Sequence, residues 1–192
     1  MASRTDIANL TLVHLGAPTI ASLDEDSKNA RLLKRIFDVV LEQVLRDHPW
    51  NCALRRATLA QLAEAPAFGY SYAYEKPVDC LGVLGLVGDS GGNVDPNLEY
   101  KVEGEQILTN ESVAQLKYVA LVTESGLWDA SLTVALAARL AAEGAYAITG
   151  NAELKKAMMM EYERAKSAAR GVDGQEDTPE VHQNNPWLEA RL

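Results

Sequence analysis

Residues 27–62, SKNARLLKRIFDVVLEQVLRDHPWNCALRRATLAQL, set the organisation of the chain. Ala30, Leu33, Phe37, Val40, Leu41 and Val44 recur in steps of three and four, which places them on one side of a helix. Arg31, Arg35, Asp38, Glu42 and Arg46 fall on the opposite side. Glu42 and Arg46 stand four apart in the favourable order, although such a pair adds only about 0.3–0.5 kcal/mol. Asp24, Asp26 or Ser27 can cap the start, and the acidic run suits the positive end of the helix dipole. Pro49 ends the helix, because a proline pushes the residue before it out of the α region. Trp50 then falls at the break, where a large side chain can lock two segments together. A third helix is expected over 51–62, capped by Asn51 and ended by Ala65-Pro66.

Upstream, residues 6–15 read as a helix with Ile7, Leu10, Val13 and His14 on one side, stopped by Gly16 and Pro18. Downstream the character changes. Tyr70, Tyr72 and Tyr74 occupy every second position, the period of an extended segment. Tyrosine offers contact area at low entropy cost, so this stretch reads either as a packed loop or as a contact surface. A strand is expected over 81–87, a loop over 88–96, a hairpin around Glu103-Gly104-Glu105 and another strand over 115–122. Residues 128–149 return to helix, so rich in alanine that neighbours must cover most of its sides, a neighbouring subunit among them. Gly150 ends that helix and Asn151 can cap the next, 152–170, the most basic segment of the chain. Its cations read best as a solvated face, with help from the negative end of the dipole.

The fold class is therefore α+β and mainly helical: a helical bundle over 1–170, a small antiparallel sheet inserted at about 68–123, and an extended C-terminal arm over 171–192. The arm carries five carboxylates, Asp173, Glu176, Asp177, Glu180 and Glu189, against Arg191. Its polar composition cannot build a core alone, yet Pro186-Trp187-Leu188 forms an apolar cluster fit for docking.

The 192 residues carry a net charge of −9, a poor match to a broad phosphate-gripping surface. The N-terminus lacks the apolar core of a signal peptide, and the alanine-rich helix carries Arg139 and Glu143, so no membrane span is read. Cys52 and Cys80 stand in apolar contexts and are expected as thiols rather than a disulfide. His14, His48 and His182 are scattered, and no metal-ligand spacing includes them.

Gly88-Asp89-Ser90-Gly91-Gly92 reproduces the glycine-flanked serine of chymotrypsin-type proteases. That chemistry needs a histidine base and an orienting aspartate on a double β-barrel, which a short helical chain contradicts. The same glycines lack the Lys-Ser or Lys-Thr of a P-loop, and Asp24-Glu25-Asp26 lacks the spacing of an EF-hand. Neither a catalytic residue nor a cofactor or metal is expected.

One ordered set of segments carries a resemblance. Leu15-Gly16-Ala17 closes the first helix, and Ile20-Ala21-Ser22-Leu23-Asp24-Glu25 precedes the long one. His48-Pro49-Trp50-Asn51, Arg56-Ala57-Thr58-Leu59, Tyr72-Ala73-Tyr74 and Pro77-Val78-Asp79-Cys80-Leu81 follow. Val102-Glu103-Gly104, Ile148-Thr149-Gly150 and a basic helix complete it. Over about residues 5–170 the chain resembles the phage head-to-tail connector proteins, the tail tubular protein A-like adaptors. Lys76 and Gly82 depart from that pattern.

The resemblance implies a structural virion protein at the head–tail junction, made in the host cytoplasm. It implies a homo-oligomeric ring, commonly of twelve copies, beneath the portal. Such a ring extends the DNA channel without sequence-specific binding and gives a tail or neck protein its platform. The arm's Pro186, Trp187, Leu188, Arg191 and Leu192 become portal-contact candidates. Asp89, Asn93, Glu103 and Glu105 join the tyrosines as candidates for subunit or tail contact. Two other classes compete: a small helical regulatory or nucleic-acid-binding module using 152–170, and an enzyme using Ser90 or the Asp24-Glu25-Asp26 cluster.

Overall fold

The structure, a computed structural model, describes residues 2–88 and 92–176. Within them the protein is mixed α+β, with four α-helices and two small antiparallel sheets. Helix α1 spans Arg4–His14 and opens on a capping box: the Ser3 hydroxyl accepts from the Asp6 amide, and the Asp6 carboxylate accepts from the Ser3 amide. Those bonds from Ser3 hold the Asp6 carboxyl below its ordinary range.

Helix α2, Lys28–Asp47, is the amphipathic segment expected from its periodicity, with Ala30, Leu33, Phe37, Val40, Leu41 and Val44 all buried. Ser27 is the cap, accepting from the Ala30 amide at 3.2 Å. Asp24 and Asp26 instead pair with Lys34 and Arg31, both at 2.7 Å. Trp50 is wholly buried at the break, and its indole N–H donates to the Val44 carbonyl at 2.8 Å.

The helix expected over 51–62 does not form. One 3-10 turn, Asn51–Ala53, gives way to strand β1, Leu54–Thr58, paired antiparallel with β6, Gln115–Ala120. Local propensity for helix in this alanine- and leucine-bearing run is a weak preference, and the ladder offered by β6 overrides it. The expected single sheet over 68–123 is accordingly two sheets, and the first begins before residue 68.

Strands β2, Tyr72–Glu75, β3, Cys80–Leu86, β4, Tyr100–Glu103, and β5, Gln106–Thr109, supply the rest. The sheet orders are β1-β6-β3 and β2-β5-β4, every pair antiparallel. The expected hairpin is present. Glu103 pairs with Gln106 across a two-residue turn, and Gly104 at φ 58 takes the first central position, where a type II′ turn requires positive φ. In β3 the register shifts twice against β6, and a Cβ at Gly85 would lie 2.4 Å from Val94 Cγ1. Glycine there lets residues 94–95 fold back on the strand.

Helix α3, Ala130–Thr149, is capped by Asp129, whose carboxylate accepts from the Leu132 amide at 2.6 Å, and ends on left-handed Gly150. It is long and apolar enough to cross a bilayer by length and composition alone, but about half of it is buried inside this fold. Helices α1, α2 and α4 of the same chain pack on it. Its small side chains permit close approach: the Thr11 hydroxyl on α1 reaches the Ala137 carbonyl at 3.2 Å. Val134 and Tyr146 are its exposed apolar residues.

Helix α4, Ala152–Glu176, starts on Asn151, whose side-chain oxygen accepts from the Glu153 amide at 2.9 Å. It runs six residues past Arg170 and so takes in 171–176, where the arm was expected to begin. The principal core joins Ile7, Phe37, Leu41, Trp50, Leu136 and Tyr162 to Val119 of β6, which ties helices to sheet. A second core, between the sheets, holds Tyr74, Leu86, Ile107, Leu116 and Tyr118.

Candidate interaction surfaces

The tyrosine row separates by depth. Tyr72 and Tyr74 share one face of β2, the ordinary consequence of a two-residue period. Tyr74 is buried, and its hydroxyl donates to the Glu111 carbonyl at 2.8 Å. Burial pushes that phenol above its ordinary pKa. Tyr74 is therefore a core residue and not a contact residue, because its row faces the second core. Tyr70 and Tyr72 are half-buried.

Glu103 and Glu105 are exposed at the tip of the β4–β5 hairpin. Glu103 lies 3.0 Å from Lys101, and Glu105 lies 3.3 Å from Lys76. Lys76, which departs from the connector pattern, thus tethers the turn, and its amide also donates to the Glu105 carbonyl. Asn93 is exposed. Asp89 and Ser90 lie outside the described residues. Phe68, at the head of the aromatic stretch, is 88% exposed, and Val78, which the sequence reading did not single out, is 97% exposed. Val78 lines a cleft of about 200 Å³ shared with Thr58, Leu59 and Lys76. Its signal in sequence was an apolar residue between Pro77 and Asp79, in a turn context where little can cover it.

A second surface lies on the helical side. Arg35, Ile36, Val39 and Gln43 of α2 face Arg139 and Glu143 of α3 around a cleft of about 310 Å³. Arg139 contacts Gln43 Oε1 and Glu143 at 3.2 Å, and its guanidinium lies over the Tyr162 ring at 5.4 Å. Val39, exposed and off the core stripe of α2, was the available sequence signal.

Four of the five cations of the basic helix are paired, and exposed Arg170 is the fifth. Lys155, Lys156, Arg164 and Lys166 each lie within 4.0 Å of a carboxylate, those of Glu143, Glu153, Glu161 and Glu163. Where cations are already paired, a phosphate must displace a partner to bind.

The end of α2 grips α4 at two points. Asp47 accepts from the Tyr162 hydroxyl at 2.7 Å, and burial together with that bond drives the phenol far above its ordinary pKa. His48, 6% exposed, meets Asp173 at 2.6 Å and the edge of Trp50 at 4.9 Å between ring centres. Sequence reading placed Asp173 in the arm, so this contact was invisible to it. Pro186, Trp187, Leu188, Arg191 and Leu192 lie outside the described residues, as does His182.

Among the described residues, no three His, Cys, Asp or Glu side chains gather where a metal could sit. Asp24 and Glu25 are engaged locally, and their carboxyls lie below the ordinary range. A hydrogen bond from Lys34 is the main cause for Asp24, and one from Ser27 for Glu25. Cys52 and Cys80 are free and half-buried. Burial pushes the Cys52 thiol up to about 11 and raises Cys80 as well, the opposite of what an activated nucleophile needs. The sequence matches no protein-family model and no curated protein.

Proposed function

We propose that this protein is a phage head-to-tail connector: a ring-forming structural subunit that sits beneath the portal and carries the tail. The observation that supports it is the ordered resemblance, whose segments fall on the joints of the fold. Leu15-Gly16-Ala17 closes α1, and His48-Pro49-Trp50 makes the break after α2. Tyr72-Ala73-Tyr74 opens β2, Val102-Glu103-Gly104 forms the hairpin, and Ile148-Thr149-Gly150 ends α3.

In this reading the sheet end, with Glu103, Glu105 and Asn93 exposed, meets a neighbouring subunit or the tail or neck protein below. Residues 186–192 dock on the portal, and DNA passes through the ring without sequence-specific contact. Identical heterologous contacts close into a ring when the rotation per subunit fits. Net charge −9 disfavours adhesion of the passing DNA. The paired cations of α4 weigh against the nucleic-acid-binding alternative.

Mass by light scattering tests this, first on the protein alone and then mixed with an intact candidate portal ring. A ring-sized complex, self-assembled or portal-templated, is the expected result. A monomer that ignores the intact portal overturns the reading.

A further inference from the structure

We propose that the His48–Asp173 contact is a latch that keeps residues 171–176 helical, and that its release adds those six residues to the segment beyond Glu176. Along α4 the inward stripe runs through Tyr162, Ala165 and Ala169 to Asp173, at helical spacing. From 170 to 175 every residue except Asp173 is exposed. Asp173 thus holds the position on the stripe that an apolar residue would otherwise take, and its partner is His48 at 2.6 Å. The two side chains are 7% and 15% exposed, so the contact is largely shielded from water.

The rest of the last turn and a half opposes helix. Gly171 and Gly174 are the poorest interior helix formers short of proline. No basic residue stands in the last turn to complement the dipole. Val172 is 47% exposed. The helical state of this stretch therefore depends on Asp173, the one inward anchor among 170–175.

The receiving side is rigid. His48 is the C-cap of α2, its ring stands edge-on to buried Trp50, and Trp50 is bonded to the Val44 carbonyl. The neighbouring grip of Asp47 on Tyr162 lies eleven residues earlier in α4. Losing the latch therefore frees the end of the helix without undocking its body. Six residues span about 9 Å as helix and about 20 Å when extended. The gain in reach bears on assembly only if the connector reading holds; the latch stands without it.

Backbone amide exchange on the full chain, followed by mass spectrometry, reads the latch directly. In Asp173→Ala the amides of 172–176 should exchange at least tenfold faster than in the wild type, with those of 156–166 unchanged. Alanine is the better helix former, so a purely local effect would slow exchange instead. Unchanged or slower exchange overturns the proposal, as does wild-type exchange at 172–176 already at the rate of unstructured chain. His48→Phe keeps an aromatic edge beside Trp50 and removes the hydrogen bond; it should match Asp173→Ala, and wild-type exchange in it overturns the latch. Portal binding by the wild type is scored separately, so failure of the connector reading is distinguishable.

Discussion

The indole N–H of Trp50 donates to the carbonyl of Val44, six residues back, at 2.8 Å. Val44 is among the last four residues of α2, whose carbonyls have no partner within the helix. Pro49 stops the chain from continuing upward, and the tryptophan it places turns back to satisfy one of those carbonyls. Trp128, just before α3, makes a bond of the same span to a loop carbonyl, donating to Val122 at 2.8 Å, and stacks on Phe37. Trp50→Phe should keep most of the packing and lose the bond, costing about 1–3 kcal/mol. Trp50→Ala should cost about 3–5 kcal/mol. Urea unfolding of the two variants checks the order, and wild-type stability in Trp50→Phe would show that the bond contributes nothing.

Ala138 and Ala141 are both fully buried on α3. Replacing either by leucine should overpack the helix contacts at a cost of about 1–3 kcal/mol. A neutral change in thermal midpoint would mean that the neighbouring helices yield freely.

Tyr74 and the hairpin carboxylates should behave oppositely. Tyr74→Phe removes the bond to the Glu111 carbonyl and should cost roughly 1 kcal/mol of stability. It should leave assembly unaltered, since the side chain is buried. Reversing Glu103 and Glu105 to lysine should move stability by no more than about 1 kcal/mol, because both carboxylates are exposed. It should weaken assembly with the portal or tail partner, measured by sedimentation. Intact assembly would remove the hairpin from the contact surface.

Cys52 should resist alkylation. With its thiol at about 11, roughly one molecule in a few thousand is thiolate at pH 7.5. The rate should climb tenfold per pH unit up to about 11, followed with iodoacetamide and intact mass. A plateau near pH 9 would show that the thiol is not held neutral by burial.

Truncation after Glu176 is a cleaner test of the docking arm than truncation at Gly171, because 171–176 belong to α4. The shortened chain should keep the thermal midpoint of the full chain and lose portal binding. Unchanged binding would move the portal contact elsewhere on the protein.

Helix α2, the β4–β5 hairpin and the caps at Asp129, Gly150 and Asn151 rest on short-range chemistry. Their period, turn residues and capping residues are written within a few positions of one another. Such features are legible in a sequence because the physics that makes them is local. Strand β1 was not legible: Leu54–Thr58 fits a helix as well as a strand until β6, some sixty residues later, offers it a ladder. The depth of Tyr74 and the exposure of Phe68 and Val78 likewise follow from how two sheets meet.

Residues 171–176 mark the division most clearly. Two glycines and a run of polar residues read as the start of an arm, which is what local propensity prescribes. Asp173 overrides it because helix α4 carries its carboxylate to a histidine 125 positions away. By itself the sequence determined helices α1, α2 and α3, the β4–β5 turn and the net charge. Tertiary structure alone decided which strands pair, which tyrosine is core and where α4 ends. Those outcomes depend on partners that become neighbours only when the chain has folded.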